Sequence, residues 1–200
     1  MVRFLSWNSG RHAAQSFSRL VESFPDDSLA DDAALEAARS YSRLWRKPQL
    51  DPMYGETALA SYNTLIGLYP TSPLIPTAQK EIAELENKFA TKDYDAGMYY
   101  FRRKAYDSGM IYFKNVLAKY ATSPKARDAA LRLVESYKAN RYREDASDLC
   151  AQLRQRYPKD SDVGKVCSGV PNAPPPAVRA DSAKADSSAV PPIKPPPRVS

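Results

Sequence analysis

The chain has 200 residues, with 29 Lys and Arg against 23 Asp and Glu, a net charge of +6, one His and two Cys. That length holds one ordinary domain and something more. With a lone His12 and no Gly-rich phosphate loop, GxSxG turn or metal-spaced Cys/His/Asp set, the common catalytic and metal sites are excluded. Basic and acidic residues are interleaved with no block of five like charges, which fits a solvated mixed surface and argues against nucleic acid as a partner.

No run of 18 apolar residues is present to cross a membrane. The opening MVRFLSWNSGRH lacks the apolar stretch and cleavage site of a signal peptide. Glycine is scarce, seven in all, and alternating strand patterns between turn signals are missing, so helix is the expectation throughout the first 170 or so residues.

In chain order the pattern predicts helices over 11–24, 29–45, 53–69, 74–90, 92–103, 105–120, 125–139 and 142–157. One phrase punctuates them: FPDDS (24–28), YPTSP (69–73), YATSP (120–124) and YPKDS (157–161). Before each stands the same template, a small residue (Ala13, Ala58, Gly109, Ala146), a large one (Phe17, Tyr62, Phe113, Cys150) and an aliphatic one (Leu20, Leu65, Val116, Leu153). Spaced i, i+4, i+7, these make one helical face, and the aromatic followed by Pro ends the helix. Because Gly109 replaces Ala, the closest helix approach is expected there.

Partner helices stand upstream, with stripes Ala34–Ala37–Ala38–Tyr41, Ala96–Gly97–Tyr100 and Ala130–Leu133–Val134–Tyr137. Ser28 and Ser123 are N-cap candidates for two of them. Residues 74–90 put Ile75, Ala78, Ile82, Leu85 and Phe89 on a helical seam of their own. The four carboxylates of DDSLADD (26–32) surround a helix start, where the macrodipole favours them and capping outweighs calcium binding. The repeat domain runs over 1–168, its first repeat truncated. Residues 169–200, rich in Pro, Ala and Ser and without an aromatic residue, read as a disordered tail and spacer.

A helix pair closed by such a phrase resembles the tetratricopeptide repeat, most closely in the last copy: Leu133-Val134, Tyr137, Ala146, the aromatic slot held by Cys150, and Pro158. The fold class expected is therefore an all-α, right-handed tetratricopeptide-repeat solenoid of about eight helices. The stretch 54–124 is more specific. Its order is a YP-x-S boundary, a long helix from Ala78 to Ala90, then Tyr99, Tyr100, Arg103, Ala105 and Tyr106 at a turn, and a second Y-x-x-S boundary. This resembles the BamD (ComL, YfiO) family of outer-membrane assembly lipoproteins across roughly 11–167.

The resemblance implies a non-catalytic scaffold without cofactor at the periplasmic face of the bacterial outer membrane. It also implies partners: the polypeptide-transport-associated domain of BamA, other Bam subunits, and unfolded β-barrel precursors received in an N-terminal concavity. The partner-binding residues it indicates are Arg103, Tyr99, Tyr100 and Tyr106. Family members are anchored through a lipidated N-terminal Cys; no Cys precedes Cys150, so the anchor and the missing front are expected upstream of Met1. A Tol-Pal system coordinator is the alternative adaptor, but the coiled coil usual in that family is not visible.

Cys150 and Cys167 remain. Seven residues of helix take Cys150 to Tyr157, a turn follows at 158–161, and six more residues lead back to Cys167. Pairing in an oxidising periplasm is one expectation and two separate buried thiols the other.

Overall fold

The computed structural model describes residues 2–171, with side chains from residue 10 onward, and the proposed tail at 172–200 lies outside the described residues. All regular structure among the described residues is helical: α1 (Val2–Ser23), α2 (Ala30–Leu44), α3 (Met53–Leu68), α4 (Ile75–Arg102), α5 (Tyr106–Lys119), α6 (Pro124–Ala139), α7 (Arg143–Arg156) and α8 (Ser161–Val166). Each packs on its chain neighbour, and α4 on α6 and α6 on α8 besides, which is the stacking of a tetratricopeptide-like solenoid. Helices α2, α4 and α6 open the repeats, α3, α5 and α7 close them, and α8 covers the end.

The template residues form the seams. Ala58, Tyr62 and Leu65, then Gly109, Phe113 and Val116, then Ala146, Cys150 and Leu153 are all buried. In α1 the matching Ala13, Phe17 and Leu20 are only half-buried, and Ala14 is the side chain there that is fully enclosed.

Two expectations are corrected. The break between 74–90 and 92–103 does not exist: α4 runs unbroken for 28 residues. The join, FATKDYD, contains neither Gly nor Pro, and the Thr91 hydroxyl folds back on the Asn87 carbonyl at 2.8 Å instead of diverting the chain. One helix thus serves two cores. Ala78, Leu85 and Phe89 pack with α2 and α3, whereas Ala90, Tyr94, Met98 and Phe101 pack with α5 and α6. Second, Ser28 is not a cap: Asp27 Oδ1 accepts the Leu29 N–H at 2.9 Å just before α2.

That carboxylate belongs to a device used four times. In each phrase the aromatic N–H donates back to the aliphatic residue four earlier: Phe24 to Leu20, Tyr69 to Leu65, Tyr120 to Val116 and Tyr157 to Leu153. The residue three beyond the aromatic donates its own N–H to the aromatic carbonyl. Its side chain, Asp27, Ser72, Ser123 or Asp160, then accepts the N–H two residues on. One short phrase therefore satisfies the loose carbonyls of one helix and the loose N–H groups of the next.

The phrases are also tied to each other. Tyr69 donates its phenol proton to the Pro25 carbonyl, Ser72 donates to Asp31 Oδ2 at 2.6 Å, and Arg127 forks onto Asp160 at 2.6 and 2.8 Å. Asp31 and Arg127 stand at the same place, four residues past their own cap, and each reaches the next cap along.

Two glycines allow close packing that the sequence pattern does not announce. A Cβ on Gly97 would fall 2.6 Å from Phe113 Cε1, and one on Gly55 would fall 2.4 Å from Trp45 Cε3. Gly109 faces Gly97 across α4 and α5, where a Cβ would lie 3.3 Å from the Gly97 carbonyl oxygen. The far end is closed covalently by Cys150–Cys167, 17 residues apart, both sulfurs fully enclosed with Val134, Leu153 and Val163.

A candidate docking edge at the interhelical turns

Successive antiparallel helices place the α2–α3, α4–α5 and α6–α7 turns on the edge opposite the four phrases. The α4–α5 turn carries the residues singled out from the sequence. Helix α4 ends in a Schellman closure: Ala105 N–H donates to the Tyr100 carbonyl at 3.1 Å and Lys104 N–H to that of Phe101 at 2.9 Å. The residue forced into the left-handed region, usually Gly, is Lys104, at φ 61°.

Arg103 is exposed at this turn. Its guanidinium lies 3.5 Å above the centroid of Tyr99, and one Nη donates to the Tyr99 carbonyl at 3.3 Å. Tyr99 is itself 51% exposed, so the stack stands on the surface. Tyr100 is half-buried, set edge-on to Tyr99 at 5.3 Å and stacked on Tyr112 at 5.6 Å. The neighbouring Tyr100 phenol, with burial adding, pushes the Tyr112 hydroxyl above its ordinary value. Tyr106 is different: it turns inward, edge-on to Phe101 at 5.5 Å, and serves the seam. The structure therefore gathers Tyr99, Tyr100 and Arg103 on one surface and leaves Tyr106 as their support. Tyr112 belongs to the crowd of seven rings between Tyr94 and Phe113 but not to the residues indicated for docking, and its position three residues past Gly109 on α5 sets it beside Tyr100.

What this arrangement can do follows from its parts. A guanidinium seated over a ring, with one Nη on the Tyr99 carbonyl, still has N–H groups to offer a carboxylate, while the ring adds apolar area. Among the described residues, no group of three or more His, Cys, Asp or Glu could hold a metal ion, and His12 is exposed on α1.

The face made by the first helices is built on another economy. Arg39 of α2 forks onto Glu81 of α4 at 2.6–3.0 Å, and Tyr62 donates to the same carboxylate at 2.8 Å. Burial alone would raise the Glu81 carboxyl, but the bonds from Arg39 and Tyr62 outweigh it and hold Glu81 below its usual range. Burial, reinforced by Glu81, keeps the Tyr62 phenol protonated well above its ordinary value. A groove of about 530 Å³ lies here, lined by Arg39, Arg43, Tyr62, Thr77, Lys80 and Lys88 among others. At the other end, hydrogen bonds from Arg127 bring the Asp160 carboxyl down to about 2.

Comparison with known proteins agrees with this architecture. The family model described as "Outer membrane lipoprotein" (YfiO) matches residues 33–153. The outer membrane protein assembly factor BamD of Xylella fastidiosa (strain Temecula1) is 27% identical over 150 residues, an alignment covering 67% of this chain and 50% of that protein. The chain thus spans about half the length of the curated relative it matches. No helix among the described residues is long and apolar enough to cross a membrane. With the match running from within α2 to within α7, over more than half of its length, the chain belongs to the YfiO family of outer membrane lipoproteins.

Proposed function

We propose that this chain is a non-catalytic scaffold of outer-membrane protein assembly, working at the periplasmic face of that membrane. On this reading its α4–α5 turn docks the polypeptide-transport-associated domain of BamA, with Arg103 as anchor and Tyr99 and Tyr100 as its apolar surround. The other Bam subunits bind elsewhere on the solenoid, and unfolded β-barrel precursors pass along the first-helix face. The observation that carries the reading is the exposed Arg103–Tyr99 stack inside the segment matched by the family model. Large rings beside an Arg with a free edge are the composition of an interface hot spot.

Charge reversal is the test. Arg103→Glu should abolish copurification with BamA from outer-membrane extract while leaving the helical circular dichroism unchanged. Undiminished recovery of BamA would contradict the assignment.

A further inference from the structure

The α6–α7 turn repeats the α4–α5 turn. Tyr142 N–H donates to the Tyr137 carbonyl at 2.9 Å and Arg141 N–H to that of Lys138 at 3.2 Å, a second Schellman closure. Its left-handed residue is again a cation, Arg141, also at φ 61°. Lys104 and Arg141 are the two non-glycine residues with positive φ among the described residues. A strained backbone position held by a long charged side chain, twice, is a feature that folding alone does not call for.

The two turns lie side by side. Asp107, in the first turn of α5, accepts from Asn140 Nδ2 at 2.7 Å and from the Tyr142 hydroxyl at 3.3 Å. Arg102, Arg103, Lys104, Arg141 and Arg143 are therefore gathered at one place on the edge, and all five are exposed. None of them forms an ion pair with another described residue, whereas Arg39, Arg127 and Arg132 each do. Tyr142, 44% exposed, stands among them as Tyr99 does in the first turn.

We propose that the docking edge is bipartite: Arg141 and Arg143, with Tyr142 between them, form a second anchor beside Arg103. The partner face they take is a folded protein surface bearing carboxylates. This rests on the reading of the α4–α5 turn as a docking site. Asp107, Glu144 and Asp145 lie among the five cations, a mixed pattern that a uniformly anionic bilayer would meet with repulsion and a protein surface can complement charge for charge. The anchors are also held at a fixed separation through Asp107, a constraint that matters to a rigid partner and is wasted on mobile lipid headgroups.

The test uses the full chain and the periplasmic domain of BamA as probe. The double variant Arg141→Gly, Arg143→Gln removes both charges and gives the left-handed position the residue it favours, so the fold is kept. Binding should weaken roughly tenfold or more, with a shallower salt dependence and an unchanged or higher melting temperature. Should the double variant bind like the unmodified chain while Arg103→Glu does not, the second anchor is overturned and the first stands. Loss in the double variant with Arg103→Glu unaffected contradicts the assignment of Arg103 alone. If the double variant keeps the BamA domain and loses vesicles of phosphatidylethanolamine and phosphatidylglycerol, the patch is a membrane contact and the proposal fails. No binding by the unmodified chain overturns both.

Discussion

At one end of the helices the chain turns four times through the same phrase, and in each the residue three beyond the aromatic accepts a backbone N–H with its side chain. At the other end two of the three turns pass through left-handed cations, Lys104 and Arg141, with exposed rings beside them, and the cations of those two turns form no ion pair with a described residue. The first edge is closed: Ser123 and Asp160 cap α6 and α8, Asp27 and Ser72 accept an N–H just ahead of α2 and α4, and Tyr69, Asp31 and Arg127 link one turn to the next. The second edge is open. Repetition thus marks the part of the molecule that builds the fold. The candidate site lies where the chain stops repeating itself and leaves interactions unspent.

If that contrast holds, substitutions in the closed edge and the seams should change stability and leave binding alone. The largest effect is expected at the bridge that ties α8 under the last closed turn. Replacing Cys150 and Cys167 by Ser removes a loop constraint of 17 residues, which should cost roughly 3 kcal/mol in a urea-unfolding experiment. Reductant should lower the unmodified chain to the same midpoint and leave the variant where it is.

Gly97→Ala comes next. The added methyl has no room beside Phe113, so overpacking should cost roughly 1–3 kcal/mol, although Ala favours helix by intrinsic preference. A rise in melting temperature would mean that Phe113 can move aside and that the α4–α5 seam is looser than described.

Ser72→Ala should cost about 1 kcal/mol, since it strips both the turn bond from the Leu74 N–H and the bond to Asp31. Acid should act on the seams in a defined direction. The Glu81 carboxyl sits below its unperturbed 4.5 in the folded chain, so its contribution is fully present above about that pH. It is lost as the pH falls through the lower folded value. In Glu81→Gln the urea midpoint should be lower at neutral pH and should lose less between pH 5 and pH 3 than in the unmodified chain.

The smallest expected change has the opposite sign and belongs to the open edge. Lys104→Gly relieves a positive φ and should leave stability unchanged or raised by up to about 1 kcal/mol, the gain being offset by the larger freedom of Gly in the unfolded chain.

How much of this was legible in the sequence follows the same division. The phrases could be read because local backbone accounting forces them: an aromatic, Pro and a capping Ser or Asp end one helix and begin the next, wherever the chain goes. The seams could be read because burial imposes i, i+4, i+7 spacing. The unbroken α4 could not, since its two halves carry separate apolar stripes although nothing in FATKDYD encodes a stop. Gly55 and Gly97 were silent because the rings that need the space, Trp45 and Phe113, come from other helices. Of the four residues singled out for docking, Arg103, Tyr99 and Tyr100 share the surface, but Tyr106 faces Phe101, a direction fixed by the turn geometry and not by residue type. The αL turns were hidden as well, because Lys104 and Arg141 occupy places where Gly is the usual signal.

The division between interactions closed within the fold and interactions left open is tested most directly by one paired comparison, in which Arg103→Glu and Arg39→Met are each assayed for binding to the BamA periplasmic domain and for thermal unfolding. A crossed result is expected. Arg103→Glu loses binding with its melting temperature intact, and Arg39→Met, which leaves Glu81 and Tyr62 without their cation, melts earlier yet binds normally while folded. Binding lost in Arg39→Met and retained in Arg103→Glu would contradict it.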